Sequence, residues 1–254
     1  MITIKKQNEI KILRDGGKKL ASILFQIKEM VAPGVKTIDL DREAERLIKK
    51  AGGEPSFKNY KTIDDEFPYP FSLCISINEE VVHGFPSERI LKEGDIVSLD
   101  LGMRYKNLYT DMAITVGVGE IDFKKKKLID VTKGALSAGI GQIKEGKRIG
   151  DIGFAIEFFV KENGFEVVRN LVGHGVGYKV HEDPQIPNFG KKGTGEILKA
   201  GMVLAIEPMV LVNNTDVILD ENGWTWKTKD NSLSAHFEHT VLVTKTGAEI
   251  LTLL

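Results

Sequence analysis

Two apolar runs in this chain each end in a carboxylate at the same offset from a glycine. Leu91-Lys92-Glu93-Gly94 leads into Asp95-Ile96-Val97-Ser98-Leu99-Asp100, and Leu198-Lys199-Ala200-Gly201 leads into Met202-Val203-Leu204-Ala205-Ile206-Glu207. Downstream, Asp111-Met112-Ala113-Ile114-Thr115-Val116 is echoed by Glu238-His239-Thr240-Val241-Leu242-Val243. A carboxylate at the end of a buried strand is costly unless something pairs with it. A hairpin expected over 96–103 and 109–116, turning at Lys106-Asn107, sets Asp100 and Asp111 on adjacent strands. Register then decides whether both point inward. Like charges that close cannot both stay ionised without a counter-charge, and a divalent metal supplies one. Glu207 and Glu238 are the corresponding pair of the second half, and His174 lies in Gly173-His174-Gly175-Val176-Gly177, where glycines leave room around the ring.

Two Asp, two Glu and one His form a hard donor set. It suits a two-metal site holding a bridging water or hydroxide. Structural zinc favours sulfur, and the chain has one cysteine. Any one of these acids alone reads as a surface carboxylate or a structural ion pair; four in duplicated strand contexts read as ligands. His83 and His181 occupy equivalent positions in the two halves. Each reads as a satisfied core histidine or as a group flanking the substrate, and their symmetry about one axis favours the second. The glycines at 173–177 lack the GxGxxG spacing of a dinucleotide site. Trp224 reads as hairpin packing or a pocket wall, and Cys74 as a small buried residue.

The elements that must position these groups follow from periodicity. Helices are expected over 8–31, 37–51, 123–141 and 149–163, with Thr37 or Asp39 capping the second. Strands are expected over 73–77, 165–168, 176–181, 203–212 and 237–243 besides the hairpin, with irregularity at Glu207 because Pro208 cannot donate to a ladder. This is an α+β pattern. The echoes keep one order throughout: Pro33-Gly34, Asp39 and Glu45 match Glu145-Gly146, Asp151 and Glu157, and His83-Gly84-Phe85-Pro86 matches His181-Glu182-Asp183-Pro184. We read residues 1–254 as one catalytic domain duplicated internally, about 1–121 and 122–254, around a pseudo-twofold axis.

Composition narrows the function classes. The 254 residues are 42% hydrophobic and 28% charged, ordinary for a globular protein. A formal net charge of -1 gives no electrostatic case for nucleic acid. No run is long enough to span a membrane or to form a signal-peptide core. The lone Cys74 fits a reducing compartment, so a cytoplasmic location is expected.

The chain resembles the type I methionine aminopeptidases over nearly its whole length. The segments that carry the resemblance are Ser76-Ile77-Asn78-Glu79-Glu80-Val81-Val82-His83-Gly84, Gly94-Asp95-Ile96-Val97-Ser98-Leu99-Asp100, Thr110-Asp111, Gly173-His174-Gly175-Val176-Gly177, His181-Glu182-Asp183-Pro184, Ile206-Glu207-Pro208-Met209 and Phe237-Glu238-His239-Thr240. The resemblance implies the pita-bread fold, with two pseudo-symmetric halves around a central antiparallel sheet and helices outside. It implies two divalent ions (Mn, Fe, Co or Zn) on Asp100, Asp111, His174, Glu207 and Glu238. It implies removal of the initiator methionine from nascent polypeptide N-termini when the second residue is small, by a metal-bridged hydroxide attacking the scissile carbonyl. His83, His181 and Glu207 would be catalytic, and Tyr69, Cys74 and Trp224 would line the methionine pocket with the two histidines. Val180 stands where the family often has an aromatic, and 61–67 looks like an insertion beside the pocket. The resemblance further implies a monomer of short bacterial style, working near the ribosome without binding nucleic acid or membrane. A proline-specific aminopeptidase of the same fold and a non-catalytic pita-bread binding protein are the rival readings.

Overall fold

The computed structural model describes residues 2–63, 65–214 and 216–254; Asp64, within the expected insertion, lies outside the described residues. Helix α1 spans Gln7–Lys28 and α2 spans Thr37–Lys50. Strands β1 (Leu73–Ile77), β2 (Ile96–Tyr105) and β3 (Leu108–Gly117) follow. Then come α3 (Phe123–Ile140), α4 (Ile149–Glu162), β4 (Val172–Gly175) and β5 (Glu182–Pro187). The chain continues through β6 (Val203–Ile206), β7 (Met209–Leu211), β8 (Ser234–His236), β9 (Glu238–Val243) and β10 (Ala248–Ile250).

Among the described residues the main sheet has nine strands, all antiparallel to their neighbours. The two-residue strand Glu54–Pro55 is followed in order by β2, β3, β9, β6, β4 and β5; β1 also pairs with β2, and β10 with β9. Alternation assigns its two faces. Val97, Leu99, Leu101 and Met103 of β2 and Met112 and Ile114 of β3 join one core with Leu20, Leu24 and Ile27 of α1, Leu40 and Ile48 of α2, Leu128 and Val131 of α3, and Ile152 and Ile156 of α4. The intervening positions, Asp100 and Asp111 among them, look the other way. Lys106 and Asn107 both adopt left-handed backbone (φ 48° and 65°), the conformation of a two-residue turn whose twist suits a hairpin.

Four sequence expectations need correction. Neither Thr37 nor Asp39 caps α2: Lys36 is the cap residue, and Thr37 lies in the first turn, where its hydroxyl donates to the Ser87 carbonyl (2.9 Å) and accepts from the Ser87 amide (2.8 Å). Residues 176–181 are not a strand. The chain turns through Gly177 (φ 138°), and the Glu182 carboxylate accepts the amides of Tyr178 and Lys179, so the ladder resumes only at β5. Residues 203–212 break into two strands at Glu207-Pro208; β6 belongs to the main sheet, whereas β7 pairs with β8 and Glu166–Val167 in a separate one. Asn188 Nδ2 donates to the Glu207 carbonyl (3.0 Å), satisfying backbone at the break. Finally, the hairpin strands run further toward the turn than expected.

The glycines beside His174 serve close approach between strands rather than unusual torsions. A methyl group at Gly175 would overlap the backbone carbonyl of Asp183, and one at Gly173 that of Ala205. Backbone cannot move aside as a flexible side chain can. Gly175→Ala is therefore expected to destabilise the protein by about 1–3 kcal/mol, the usual penalty of overpacking, as read by denaturant unfolding. An unchanged midpoint would show that β4 and β5 have room to part.

Candidate metal centre and substrate pocket

Register brings the four acids to one place. Asp100 lies opposite Ala113, and Asp111 opposite Gly102, so both aspartates leave the same face of the hairpin. Glu238 lies opposite Ala113 from the other side, at the first residue of β9. Beyond Glu238 and His239, β9 parts from β3. There the Thr240 hydroxyl replaces the ladder, accepting from the Asp111 amide and donating to its carbonyl, each at 2.8 Å. His174 of β4 lies opposite Ala205 of β6, and Glu207 follows β6 at the proline break.

Ligand atoms of Asp111, His174 and Glu238 all lie within 4.8 Å of one another. His174 Nε2 is 3.4 Å from Glu207 Oε1. His174 Nδ1 is 2.9 Å from the Gly175 carbonyl, which can only accept, so Nδ1 carries the proton and Nε2 presents its lone pair to the acids. Fixing the tautomer through the other nitrogen is how ligating imidazoles are held. Asp100 and Asp111 line the same cavity as Glu207, Glu238 and His174. Asp100 Oδ1 and Glu238 Oε1 are buried without a hydrogen-bond partner. Orphaned acceptors of this kind call for a donor or a cation, and five oxygen and nitrogen side chains fit a hard or borderline divalent ion.

The predicted substrate groups surround this centre. The His181 ring stands edge-on to His174, centroids 4.4 Å apart, and its Nδ1 is 2.6 Å from the Tyr60 hydroxyl. His83 sits 6.2 Å from the Trp224 ring with its backbone in the left-handed region (φ 58°), a conformation that surrounding structure must enforce. The Thr225 hydroxyl donates to the His83 carbonyl (3.2 Å), and Gly84 N donates to Ser76 Oγ (3.1 Å), holding both flanks of the turn. Tyr69, Cys74 and Trp224 are buried in one apolar cluster with Phe57 and Val180. Cys74 pairs opposite Asp100 on β1, so it reaches the cavity from the same face. Tyr69 donates to the Gly84 carbonyl (2.9 Å), and Trp224 Nε1 to the Phe67 carbonyl (3.1 Å), which ties the 61–67 segment to the pocket wall. All ten predicted site residues thus meet around one cavity or its wall.

Comparisons with known proteins bear on the family and the fold. The model of metallopeptidase family M24 matches residues 11–245. The chain belongs to that family. It is 48% identical to a methionine aminopeptidase of Clostridium perfringens over 254 residues, covering 100% of both chains. It is 45% identical to methionine aminopeptidase 1 of Bacillus subtilis, covering 99% of both. A crystal structure of methionine aminopeptidase from Rickettsia prowazekii superposes with a TM-score of 0.96 at 40% identity, covering 100% of both chains. The pita-bread fold of the family is thereby established for this chain.

M24 enzymes are metallopeptidases, and the electrostatics of this cavity fit a cation. Burial pushes the Asp111 carboxyl up to about 7, with Glu207 repulsion adding to it, and the Glu207 carboxyl up to about 8. Burial, reinforced by neighbouring acids, raises Asp100 and Glu238 well above the usual carboxylate range. Burial also pushes His83 and His181 down to about 4 and His174 to about 3, so these imidazoles are neutral near pH 7. The residues lining the cavity include no lysine or arginine to balance the acids.

Two residues at the centre, Tyr60 in the cavity lining and His236 behind the acids, were not expected from the sequence. Tyr60 sits in a loop without periodicity, and nothing local marks it. His236 precedes Glu238 by two residues, so strand alternation puts it on the same side, and that parity was the available signal. His239 is turned to the other side, where Nδ1 meets Thr252 Oγ1 at 2.9 Å.

The metal-free protein should lose stability as pH rises from about 7.5 to 9. Unfolded histidines titrate around 6.5 and have lost most of their protons by pH 7.5, while the folded ones, pushed down to about 3 or 4 by burial, are already neutral. In that window the native acids still hold protons that unfolded carboxyls have already released, so the native state binds more protons and stability falls with pH. Denaturant unfolding of chelator-treated protein at pH 7.5 and 9 checks this. A metal-free protein more stable at pH 9 would show that the acids are compensated by something other than a cation.

Proposed function

We propose that this M24 protein is a methionine aminopeptidase that removes the initiator methionine from polypeptides whose second residue is small. The observation that carries the reading is the junction of a five-residue acid and histidine centre with the buried wall of Tyr69, Cys74 and Trp224. A substrate side chain seated against that wall brings the bond after the first residue to the acids. Asp100, Asp111, His174, Glu207 and Glu238 hold two divalent ions, of which manganese, iron, cobalt and zinc all accept this donor set. Bound there, the ions supply Lewis acidity and a water of lowered pKa.

The chain's own residues do the rest. Glu207, at the strand break, accepts the proton of the attacking water and returns it to the leaving amine. In this reading Tyr60 donates to His181 Nδ1, which leaves Nε2–H free to hydrogen-bond the scissile carbonyl oxygen as negative charge develops. His83 contacts the amide nitrogen. Depressed pKa values keep both imidazoles neutral, so each can donate without adding a positive charge beside the metal site. An open groove of about 720 Å³ runs from His83, His174, His181 and Glu207 past Leu171, Tyr178 and Gln185, and it takes the peptide beyond the scissile bond.

The same reading treats residues 1–254 as one catalytic domain of two halves. It is supported by backbone contacts that recur in equivalent places: Gly34 N to Leu91 O and Gly146 N to Leu198 O are both 2.9 Å, and the bridge between Lys36 and Ile90 has its counterpart between Arg148 and Ile197. Among the described residues no helix is long and apolar enough to cross a membrane. We place the activity in the cytoplasm, on N-termini emerging near the ribosome, with the protein acting as a monomer.

Metal-dependent release of methionine should be rapid from Met-Ala peptides, slow from Met-Leu peptides and absent from Ala-Pro. Preference for a peptide with proline second, whatever its first residue, would move the protein to a proline-specific activity. His83→Ala should lower turnover by about 10²–10⁴-fold with bound metal near the wild-type level, because His83 serves the substrate. Asp111→Ala should abolish turnover and deplete metal while the fold survives. Metal analysis decides between these roles: depletion in the His83 variant to the level of a His174 variant would make His83 a ligand.

A further inference from the structure

His236 is among the most deeply enclosed polar residues of the chain, 1% exposed, and neither ring nitrogen has a hydrogen-bond partner. Its backbone is fixed on both sides by one hydroxyl: His236 N donates to Thr115 Oγ1 (2.9 Å), and Thr115 Oγ1 donates to His236 O (2.7 Å). In β8 it lies opposite Met209, two residues beyond Glu207. Its Nε2 is 3.4 Å from Glu207 Oε2, while the other carboxylate oxygen, Oε1, is 3.4 Å from His174 Nε2. The Glu207 carboxylate therefore stands between two imidazoles that present the same nitrogen to it.

The two imidazoles differ where it matters. His174 commits its Nδ1 proton to a carbonyl, so Nε2 is a lone pair. His236 has no acceptor at Nδ1. If its Nε2 were a lone pair aimed at a metal, an N–H at Nδ1 would be buried without a partner, a group that folded proteins rarely tolerate. With the proton on Nε2 the ring instead donates to a carboxylate, and only an acceptor is left unpaired. A donor to an ionised carboxylate is the stronger kind of hydrogen bond, and fixing the orientation of a ligating carboxylate is a recurring task of residues behind a metal site.

We infer that His236 is a positioning residue: it donates Nε2–H to Glu207 Oε2 and so holds Oε1 toward His174 and the metal centre. The inference rests on the proposed metal-binding role of Glu207. His236 touches neither substrate nor metal in this arrangement and acts through Glu207, although an oxygen of Glu238 also lies within 4.8 Å of its ring.

The test compares His236→Leu, which fills the space without a donor, with His236→Gln, which keeps an N–H of similar reach. Cobalt(II) affinity of the chelator-treated proteins is measured by calorimetry, together with the visible spectrum of the cobalt forms and the kcat and KM for a Met-Ala peptide. The leucine variant should bind cobalt about 10–100-fold more weakly, the usual effect of losing such a partner. Its kcat should fall while KM changes little. The glutamine variant should recover most of the affinity and keep the wild-type cobalt spectrum. Wild-type affinity and kcat in the leucine variant would overturn the inference. So would loss of affinity with an altered cobalt spectrum in the glutamine variant, which would make His236 a ligand. If the leucine variant fails to fold, the glutamine variant's affinity and spectrum decide alone. A wild-type protein that binds cobalt but releases methionine from no peptide would refute the proposed activity and leave the cobalt comparison standing.

Discussion

Four carboxylic acids are gathered in a buried cavity whose described lining holds neutral histidines but no lysine or arginine. Folding around such a group is opposed by desolvation and by mutual repulsion. The sheet nevertheless delivers Asp100, Asp111 and Glu238 from three adjacent strands to one face, with Glu207 brought in at a strand break. The fold answers the repulsion with protonation or with a cation, and the pinned tautomer of His174 prepares it for the cation.

The opposite face of the same sheet supplies the means. Leucines, isoleucines, valines and methionines from six or more elements bury together against four helices, so the strands are held by apolar packing independent of the site. Burial of this kind contributes roughly 25 cal/mol per Å² of apolar surface, spread over dozens of side chains. It lets the chain tolerate a left-handed His83, an interrupted β6–β7 and a splay between β3 and β9, each of which forfeits regular backbone geometry beside the cavity.

Much of this was legible in the residues. Asp100, Asp111 and Glu238 could be placed because each interrupts an apolar alternation, and the alternation survives in the fold. The break at Glu207 announced itself through Pro208. The expected strand at 176–181 failed because Val176 and Val180 are core residues on a turn: the alternation recorded burial, while Gly177 and the reach of the Glu182 carboxylate set the backbone. Tyr60 was missed because its partner, His181, is distant in sequence and a contact of that range leaves no periodic trace, whereas His236 carried a trace only in its parity with Glu238. The pocket residues Tyr69, Cys74 and Trp224 came from family resemblance, since a buried tyrosine or tryptophan looks alike in a core and in a cavity wall.

The interruption at Glu207-Pro208 makes one chain segment a member of two sheets. In this segment the main-sheet pairing ends with Ile206 and the smaller sheet's begins with Met209, leaving Glu207 at the seam between the two sheets. Any sliding of one sheet against the other must therefore displace the Glu207 carboxylate relative to Asp111 and Glu238. The centre is in this respect a gauge of the whole molecule's alignment. Conversely, whatever clamps the carboxylates together also clamps the sheets, so occupancy of a few cubic ångströms at the seam can stiffen strands that never touch the occupant.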